Sequence, residues 1–384
     1  MSALPPELDD FIVGHLYDDK EALLSCSLVN ISFLRSSRTR LFNKVALNAY
    51  NSKVFLELVA SPLQTFLHCI EDLTIAHSSF ATELLPELPV FSSTKTLHMH
   101  YPHANMGSDG TLTQMPVVFP QVLDLEILSS YSYCPLRESI RFTGCLTKLR
   151  GLSITSALLE EDASAFNAPV PPELEVLRIE ARHGSGDPFP QVVDWLTASS
   201  PPSNLRALTL GLLQRGSLPT VSKLITVLGP QLVALDLDLE YRLTATDIER
   251  HLDLSQNINL HDLTIHIGLR RYHAPGSSYP HAPWALLTAP KAPCSIKSLT
   301  IYLRIDFSEM LQNFDWDRFN SLLESGSQYS ALERLQWIVY CPSGNITPAI
   351  TSRLPVWAKK GILNVSVNTG RASTSGLHTL RFAH

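Results

Sequence analysis

Charged residues are scarce in this 384-residue chain: they make up 17% of it, against about 25% in a typical soluble domain. The net charge of −6 and the isoelectric point near 6.2 argue against a nucleic-acid or an anionic-membrane partner, which would need a basic surface. No stretch approaches the length of uncharged apolar residues that a membrane helix needs, so none is predicted. The hydrophobic content of 45% excludes a disordered chain.

Motifs for disulfides, metals and catalysis are also missing. The six cysteines form no Cys-x-x-Cys pair, which favours scattered reduced thiols. No phosphate loop, Gly-x-Ser-x-Gly or metalloprotease motif occurs, so we predict no catalytic residue and no cofactor. The first residues show neither a basic start nor a long apolar run, so we expect no signal peptide and a cytoplasmic or nuclear location.

Leucine is the residue in excess, with 62 copies, about one residue in six. Many of these leucines belong to a unit of the form apolar-x-x-Leu-x-apolar that recurs about every 29 residues, at the upper end of the leucine-rich-repeat range. The central residues of the predicted units are Val45, Leu73, Leu97, Leu125, Leu152, Leu177, Leu208, Leu235, Leu263, Leu299, Leu335 and Val365.

Each unit predicts a strand, because side chains alternate along a strand and the spacing places the apolar pair on one face. Helical patterns lie between the units, as in residues 221–228, which end at Gly229-Pro230. Further helical patterns include Val192–Leu196, Ile248/Leu252, Phe319/Leu322/Leu323 and Ile350/Leu354/Trp357. We therefore predict an α/β fold in which residues 46–368 form one irregular leucine-rich-repeat-like solenoid of about 11–12 strand/helix coils.

Three features depart from a regular repeat. The Asn or Cys that usually follows the central Leu is replaced by mixed residues such as Ser130 and Glu240, so we expect irregular curvature and coils held by helix packing. Residues 273–294 contain five prolines and predict a loop, with a short turn at Trp284–Leu287. The tail of residues 369–384 either adds a last strand through Leu377/Leu380/Phe382 or frays.

Residues 1–45 predict a helical module, because the first strand unit begins only near their end, around Val45. Leu8, Ile12 and Leu16 recur at four-residue spacing, and a second apolar pattern follows over residues 23–31. A unit this short buries little surface, so its simplest role is to cap the first coil. It also offers more apolar side chains than three helices can hide, and an exposed apolar patch usually marks a protein interface.

The order of residues in this module resembles an F-box. The matching residues are Leu4-Pro5-Pro6-Glu7-Leu8, Ile12, Leu16, Ser27-Leu28-Val29, Phe33, Arg38 and Leu41-Phe42. Phe33 stands where the family usually has Trp, and Asn30 stands where it often has Cys. With the strand units that follow, the chain resembles the F-box/leucine-rich-repeat-like proteins abundant in mushroom-forming basidiomycete fungi.

The resemblance implies a substrate-recognition adaptor of a Skp/cullin/F-box type ubiquitin ligase. F-box modules dock onto a Skp-family adaptor, which links them to a cullin, and the repeats bind a target protein. By position, the docking residues would be Leu4, Pro5, Leu8, Ile12, Leu16, Leu28, Val29 and Phe33. The alternative is a protein-binding repeat scaffold outside any ligase, in which the helices only cap the solenoid.

Three histidines, His98, His100 and His103, form a His-x-His-x-x-His cluster. His98 and His100 share one strand face and could hold zinc, but no fourth ligand or general base is evident nearby. We therefore interpret them as solvated histidines and predict no metal site. An activity that depended on His98 and His100 would instead favour an enzyme or a regulator built on the repeats.

Polar residues occupy the position between the two strand leucines of each unit. This column contains no aromatic or basic row of the RNA-binding type. One predicted strand carries three alternating acidic residues, Asp236, Asp238 and Glu240. They predict a solvated face, an acidic stripe for a basic partner, or a divalent-cation site that lacks a calcium-binding loop. From the column and the stripe we predict that the unknown target protein contacts His98, Glu126, Arg178, Asp236 and Asp238.

Overall fold

The chain divides into two compact units, the N-terminal unit (Met1–Asn204) and the C-terminal unit (Leu205–His384). The structure, a computed structural model, describes residues 5–16, 19–62, 64–76, 80–100, 109–128, 134–158, 168–181, 187–198, 203–240, 243–269, 282–288, 296–305, 308–326, 329–341 and 346–368. Within these ranges the fold is α/β, as predicted. The single stack predicted over residues 46–368 stays a prediction.

The N-terminal unit begins with three helices and continues with alternating strands and helices. Its helices are α1 (Pro6–Gly14), α2 (Lys20–Cys26), α3 (Ile31–Leu41), α4 (Ser52–Val59), α5 (Asp109–Val118), α6 (Leu136–Gly144) and α7 (Phe189–Thr197). Its strands are β1 (Lys44–Asn48), β2 (Asp72–Ala76), β3 (Thr96–His100), β4 (Asp124–Leu128), β5 (Cys134–Pro135), β6 (Gly151–Leu158) and β7 (Val176–Ala181). The predicted helical module therefore contains α1–α3 and the start of β1.

The C-terminal unit repeats the alternation of strand and helix. Its strands are β8 (Ala207–Leu213), β9 (Ala234–Leu239), β10 (Asp262–Leu269), β11 (Ser298–Ile305), β12 (Arg334–Tyr340) and β13 (Leu363–Asn368). Its helices are α8 (Leu218–Leu228), α9 (Ala245–His251), α10 (Ala282–Thr288), α11 (Trp316–Ser325), α12 (Thr347–Arg353) and α13 (Pro355–Lys359).

Within each unit the strands are parallel and neighbours in the sheet are neighbours in the chain, apart from the two-residue strand β5, which pairs beside β6. Every predicted central residue lies in a strand, and the central leucines of adjacent strands are register partners, as in Leu73↔Leu97 and Leu263↔Leu299. These leucines are buried, so the predicted alternation of a core face and a polar face is confirmed.

The last predicted unit was placed two residues too late. Leu363, and not Val365, is the register partner of Leu335, and Val365 pairs with Trp337. Leu363, Val365 and Val367 alternate evenly, so the pattern alone cannot distinguish registers that differ by two residues. The sequence also did not predict the short strand β5.

The predicted helices are confirmed, with two breaks. The apolar pattern over residues 23–31 is divided between α2, which ends at Cys26, and α3, which begins at Ile31. Residues 221–228 lie in α8, which ends at Gly229 with a φ of +46°, a conformation that favours glycine. The pattern Ile350/Leu354/Trp357 is divided between α12 and α13, because Pro355 follows Leu354 and disfavours helical backbone there. The predicted turn at Trp284–Leu287 is the helix α10, whereas most of the proline-rich loop and the tail of residues 369–384 lie outside the described residues.

Backbone and side-chain hydrogen bonds join successive strand–helix segments. The carbonyl of Glu71 accepts from the N–H groups of Lys95 and Thr96, and the carbonyl of Val233 accepts likewise from His261 and Asp262. Side chains add bonds to carbonyls of the preceding segment, from Thr94 to Ile70, Asn204 to Pro172, Asn257 to Ile225 and Gly229, and Tyr329 to Leu287. These hydrogen bonds join the segments in addition to the expected helix packing, so polar residues that precede the strands serve in part in place of the asparagine ladder.

The end strand β1 is protected by a side chain. Asn51 follows the strand, and its amide nitrogen donates to the Ala46 carbonyl at 2.8 Å while its amide oxygen accepts from the Asn48 N–H at 2.8 Å. These two backbone groups point to the same side of the strand, so the Asn51 amide occupies hydrogen-bonding positions that an added strand would use. Proteins block exposed edges in comparable ways to prevent edge-to-edge association.

We expect Asn51→Ala to lower the free energy of unfolding by about 1 kcal/mol and to promote concentration-dependent association, because two edge groups lose their partner. Urea denaturation and sedimentation velocity measure the two effects. Asn204→Ala is the matched control, since it removes an amide-to-carbonyl bond of 2.9 Å away from the edge. Equal association of the two variants would contradict the role of Asn51.

Candidate functional site

The three N-terminal helices begin at capping signals in the sequence. Pro6 occupies the start of α1, where its missing N–H costs nothing. The Asp19 side chain accepts from the Ala22 N–H at 2.9 Å to cap α2, and the Asn30 side chain accepts from the Phe33 N–H at 2.9 Å to cap α3. Asn30, which replaces the frequent Cys of the F-box pattern, thus has a local structural role.

The interior of this module is small. Val13 and Leu23 are its fully buried apolar side chains among the described residues. Polar contacts add to them: Ser36 donates to the Asp10 carboxylate, and Arg40 donates to the Asp10 backbone carbonyl at 3.2 Å. With so little apolar interior, most of the apolar side chains of α1–α3 remain outside it.

Seven large apolar side chains of the module are exposed to solvent. They are Leu8, Phe11, Ile12, Leu24, Leu28, Val29 and Ile31, named here the N-terminal apolar face. Leu28 is the extreme case, with 87% of its surface exposed. Charged residues of the same helices, such as Glu7, Asp10 and Lys20, are exposed as well. A set of exposed large apolar side chains is typical of a protein interface.

The predicted docking residues fall into three groups. Leu8, Ile12, Leu28 and Val29 belong to the N-terminal apolar face, and Pro5 is also exposed. Leu16 and Phe33 are half-buried. Leu4 lies outside the described residues.

Sequence reasoning missed three members of the face, Phe11, Leu24 and Ile31. The signal was present for Phe11, which follows Leu8 by three residues on α1. No helical spacing could show the other two, because Leu24 lies on α2, Leu28 in the turn after it and Ile31 at the start of α3.

The C-terminal half of α3 contacts the residues just before β2. Arg38 donates to the Thr65 hydroxyl, and the Cys69 sulfur lies 3.8 Å from the Thr39 hydroxyl. Phe42, just after α3, stacks on Phe66 with ring centroids 4.7 Å apart. The module therefore covers the layer below it with α3 while the N-terminal apolar face stays open.

The predicted polar column of the N-terminal unit is one row across the sheet. Thr74, His98, Glu126, Ser153 and Arg178 are successive register partners from β2 to β7. The structure therefore brings together His98 and Glu126 and places Arg178 two strands further along the same face.

His98 lies between two carboxylates. Its Nδ1 is 2.6 Å from Glu126 Oε2, and its Nε2 is 3.3 Å from Asp72 Oδ1. Both ring nitrogens face acceptors, so the ring is held as the imidazolium, which donates from both. The hydrogen bond to Asp72 and then that to Glu126 raise the pKa of His98 to about 9, and contact with His98 lowers the pKa of both carboxyl groups.

We expect the stability of the N-terminal unit to decline with pH because of His98. Its folded pKa of about 9 exceeds the ordinary 6.5, so the stabilisation is complete below about pH 6.5 and is lost as the pH rises through about 9. Urea denaturation across this range measures the slope. His98→Gln should flatten the dependence of stability on pH. Glu126→Gln should confine the decline in stability to lower pH, because one of the two carboxylates that raise the pKa of His98 is removed. Equal slopes for the wild type and both variants would contradict this account.

The remaining predicted target-contact residues are also engaged within the chain. Arg178 donates through Nε to Glu180 at 2.7 Å, and both side chains are largely buried. Asp236 is buried, and its Oδ1 lies 2.9 Å from His266 Nε2, close enough for an ion pair although not aligned as a hydrogen bond. Asp238 is half-buried on the same strand and is the register partner of His266.

The histidine cluster is divided by this arrangement. His98 and His100 share the polar face of β3, but His98 is held by its carboxylates, and burial lowers the pKa of His100. His103 lies outside the described residues. In the ranges that the structure describes, no group of three His, Cys, Asp or Glu side chains has an arrangement that could hold a metal ion.

Comparison with known proteins provides no assignment. No protein-family model matches the chain, and no curated protein matches it. Among the described helices, none has both the length and the apolar character needed to cross a bilayer.

Proposed function

We propose that this chain is the substrate-recognition adaptor of a Skp/cullin/F-box type ubiquitin ligase. In this proposal α1–α3 form an F-box that docks onto a Skp-family adaptor and through it onto a cullin. The strand–helix segments form a leucine-rich-repeat-like solenoid that binds a target protein. The chain acts by proximity in the cytoplasm or nucleus, without a catalytic residue or a cofactor of its own.

The observation that carries the proposal is the position of the N-terminal apolar face. Four of its seven members, Leu8, Ile12, Leu28 and Val29, occupy positions that the F-box resemblance assigns to docking. Burying one such side chain in an interface contributes about 1.5–3 kcal/mol. A few central side chains usually dominate an interface of this kind, so losing two of them should have a large effect.

The second candidate is a repeat scaffold in which the helices only cap the first layer. The contacts of α3 favour this role, since Arg38 and Thr39 join it to the residues just before β2. Capping explains the buried side of the module but assigns no task to the exposed Leu28 and Ile31. The two candidates therefore differ in whether the N-terminal apolar face has a partner.

The experiment is capture of the full chain by a purified Skp-family adaptor. We expect the wild type to bind and the double variant Leu8→Asp/Ile12→Asp to lose at least about 100-fold in affinity, because two carboxylates would enter an apolar interface. Both residues are on α1 and are 46% and 42% exposed, so the variant should fold normally.

The matched control is Val54→Asp/Leu58→Asp on α4. These residues have the same four-residue spacing and are 56% and 52% exposed, outside the N-terminal apolar face. We expect this control to bind like the wild type. If the wild type fails to bind, or if both double variants bind equally well, the ligase proposal is wrong and the scaffold candidate is favoured.

A further inference from the structure

The polar strand faces of the two units differ in the availability of their charges. In the N-terminal unit, His98 is held by Asp72 and Glu126, and Arg178 is held by Glu180. These charges neutralise one another within the chain and offer little to a partner. The predicted contact residues in that unit are therefore poor candidates for charge-based recognition.

The polar face of β11–β13 has the opposite character, because these three strands contain no Asp or Glu. The side chains on this face are Ser298, Thr300, Tyr302 and Arg304 from β11, Arg334, Gln336, Ile338 and Tyr340 from β12, and Asn364, Ser366 and Asn368 from β13. Tyrosine and arginine are the residue types that most often dominate protein interfaces.

The two arginines of this face are exposed, and among the described residues neither guanidinium has an ion-pair or hydrogen-bond partner. Arg304 is the register partner of Tyr340 on one side and of Gly268 on the other. A Cβ atom added to Gly268 would meet no atom within 4 Å. The space above Gly268, named here the notch, is therefore open beside Arg304.

The neighbouring Tyr302 is held in place by His266 and, behind it, by Asp236, which sequence analysis assigned to the target. Its ring stacks on His266 with centroids 4.3 Å apart and planes at 1°, and His266 is held in turn by Asp236. A ring that is already fixed loses little entropy when a partner packs on it. We therefore regard Asp236 as a support for the surface and not as a contact residue.

We propose that the polar face of β11–β13 binds an extended acidic segment of a partner protein, with a carboxylate received by Arg304 in the notch above Gly268. Charge decides the occupant, since Arg304 and Arg334 are exposed on three strands that contain no carboxylate, and such positive charges attract anions and repel basic segments. Arg334 lies six positions before Tyr340, the register partner of Arg304, so the two arginines are about 20 Å apart along the strand direction. A second carboxylate, for Arg334, would therefore lie about six residues from the first on an extended peptide.

A protein segment fits this face better than a nucleic acid. Two arginines are few for a polynucleotide, which needs a continuous basic surface, and the net charge of the chain is −6. The inference deepens the proposed function by naming the chemistry of the target, but its evidence lies in the C-terminal unit and does not involve the helices that would contact a ligase.

The test is selection of random dodecapeptides displayed on phage against the immobilised full chain. We expect enrichment of peptides with Asp or Glu at two positions about six residues apart and depletion of Lys and Arg. Fluorescence anisotropy with the most enriched peptide should then show binding that weakens at high salt. Arg304→Glu should weaken it at least about tenfold, because attraction becomes repulsion.

Two further variants make the test decisive. Gly268→Leu fills the notch without changing a charge and should also weaken binding, whereas Arg318→Glu reverses an exposed arginine on α11 and should leave it unchanged. All three should still be captured by a Skp-family adaptor if the ligase proposal holds, so the two proposals can fail separately. Three outcomes would overturn the inference. The first is selection of basic or purely apolar peptides, and the second is an equal effect of Arg304→Glu and Arg318→Glu on peptide binding. The third is Arg304-dependent binding of single-stranded RNA without any peptide selection.

Discussion

Trp337→Ala should lower the free energy of unfolding of the C-terminal unit by about 3–5 kcal/mol, the range for removal of a large buried aromatic side chain. Trp337 is fully buried on the core face of β12. Its ring centroid lies 5.3 Å from that of Phe314, 5.2 Å from Trp316 and 5.4 Å from Phe319. Removal would leave a cavity that three rings border and that neighbouring strands cannot close by collapse.

Urea denaturation followed by far-UV circular dichroism measures this effect, and two phenylalanine variants test its cause. The Trp337 indole N–H is buried without a partner among the described residues, whereas the Trp316 N–H donates to the Leu311 carbonyl at 2.9 Å. Trp337→Phe keeps a ring and removes an unpartnered donor, so it should lower the free energy of unfolding less than Trp316→Phe, which also breaks the hydrogen bond to the Leu311 carbonyl. The reverse order would contradict the hydrogen-bond assignment, and a loss under about 1 kcal/mol for Trp337→Ala would contradict its place in the core.

Asn257→Asp should be nearly as disruptive, with an expected loss of about 3 kcal/mol or more. Asn257 is fully buried, and its amide nitrogen donates to the Ile225 carbonyl at 3.0 Å and to the Gly229 carbonyl at 2.9 Å. A carboxylate of the same shape cannot donate and would face two carbonyl oxygens. Asn257→Ala should cost about 2 kcal/mol, because it removes two hydrogen bonds without adding a charge.

The control is Asn259→Ala, two residues away. Asn259 is exposed and makes a single bond of 2.8 Å to the Pro230 carbonyl, so its loss should cost under about 1 kcal/mol. Thermal unfolding of the three variants gives the ranking. If Asn257→Asp were as stable as Asn259→Ala, the role of Asn257 in joining α8 to the following segment would be wrong.

The strands were predictable from the sequence because each one carries the same local signal. The pair Leu208/Leu210 fixes both the strand and the buried face, and β9 then aligns with Leu235 and Leu237 opposite this pair, before the register shifts between Leu210 and Leu213. The signal failed to give the register of β13, because Leu363, Val365 and Val367 offer more than one apolar pair with the same spacing. It failed to predict β5 because that strand has only two residues. Local patterns therefore give the elements but not every register.

The surfaces were predictable only in part, because they depend on contacts between distant residues. Leu28 and Val29 could be proposed from a local motif, but the burial of Asp236 against His266 depends on the pairing of β9 with β10. The open position of Arg304 likewise depends on its neighbour across the sheet being Gly268, which lies 36 positions earlier in the chain. A column of polar residues thus identifies a face without showing which charges on it are available.

Hydrogen–deuterium exchange of the full chain, with and without a purified Skp-family adaptor, tests the central claim most directly. Amides that become part of an interface exchange more slowly, so the measurement locates the partner on the chain. We predict slower exchange in the adaptor complex over residues 8–31, which contain the N-terminal apolar face, and unchanged exchange in β9 and β11. Unchanged exchange over residues 8–31, or protection confined to the strands, would contradict the proposed docking of α1–α3.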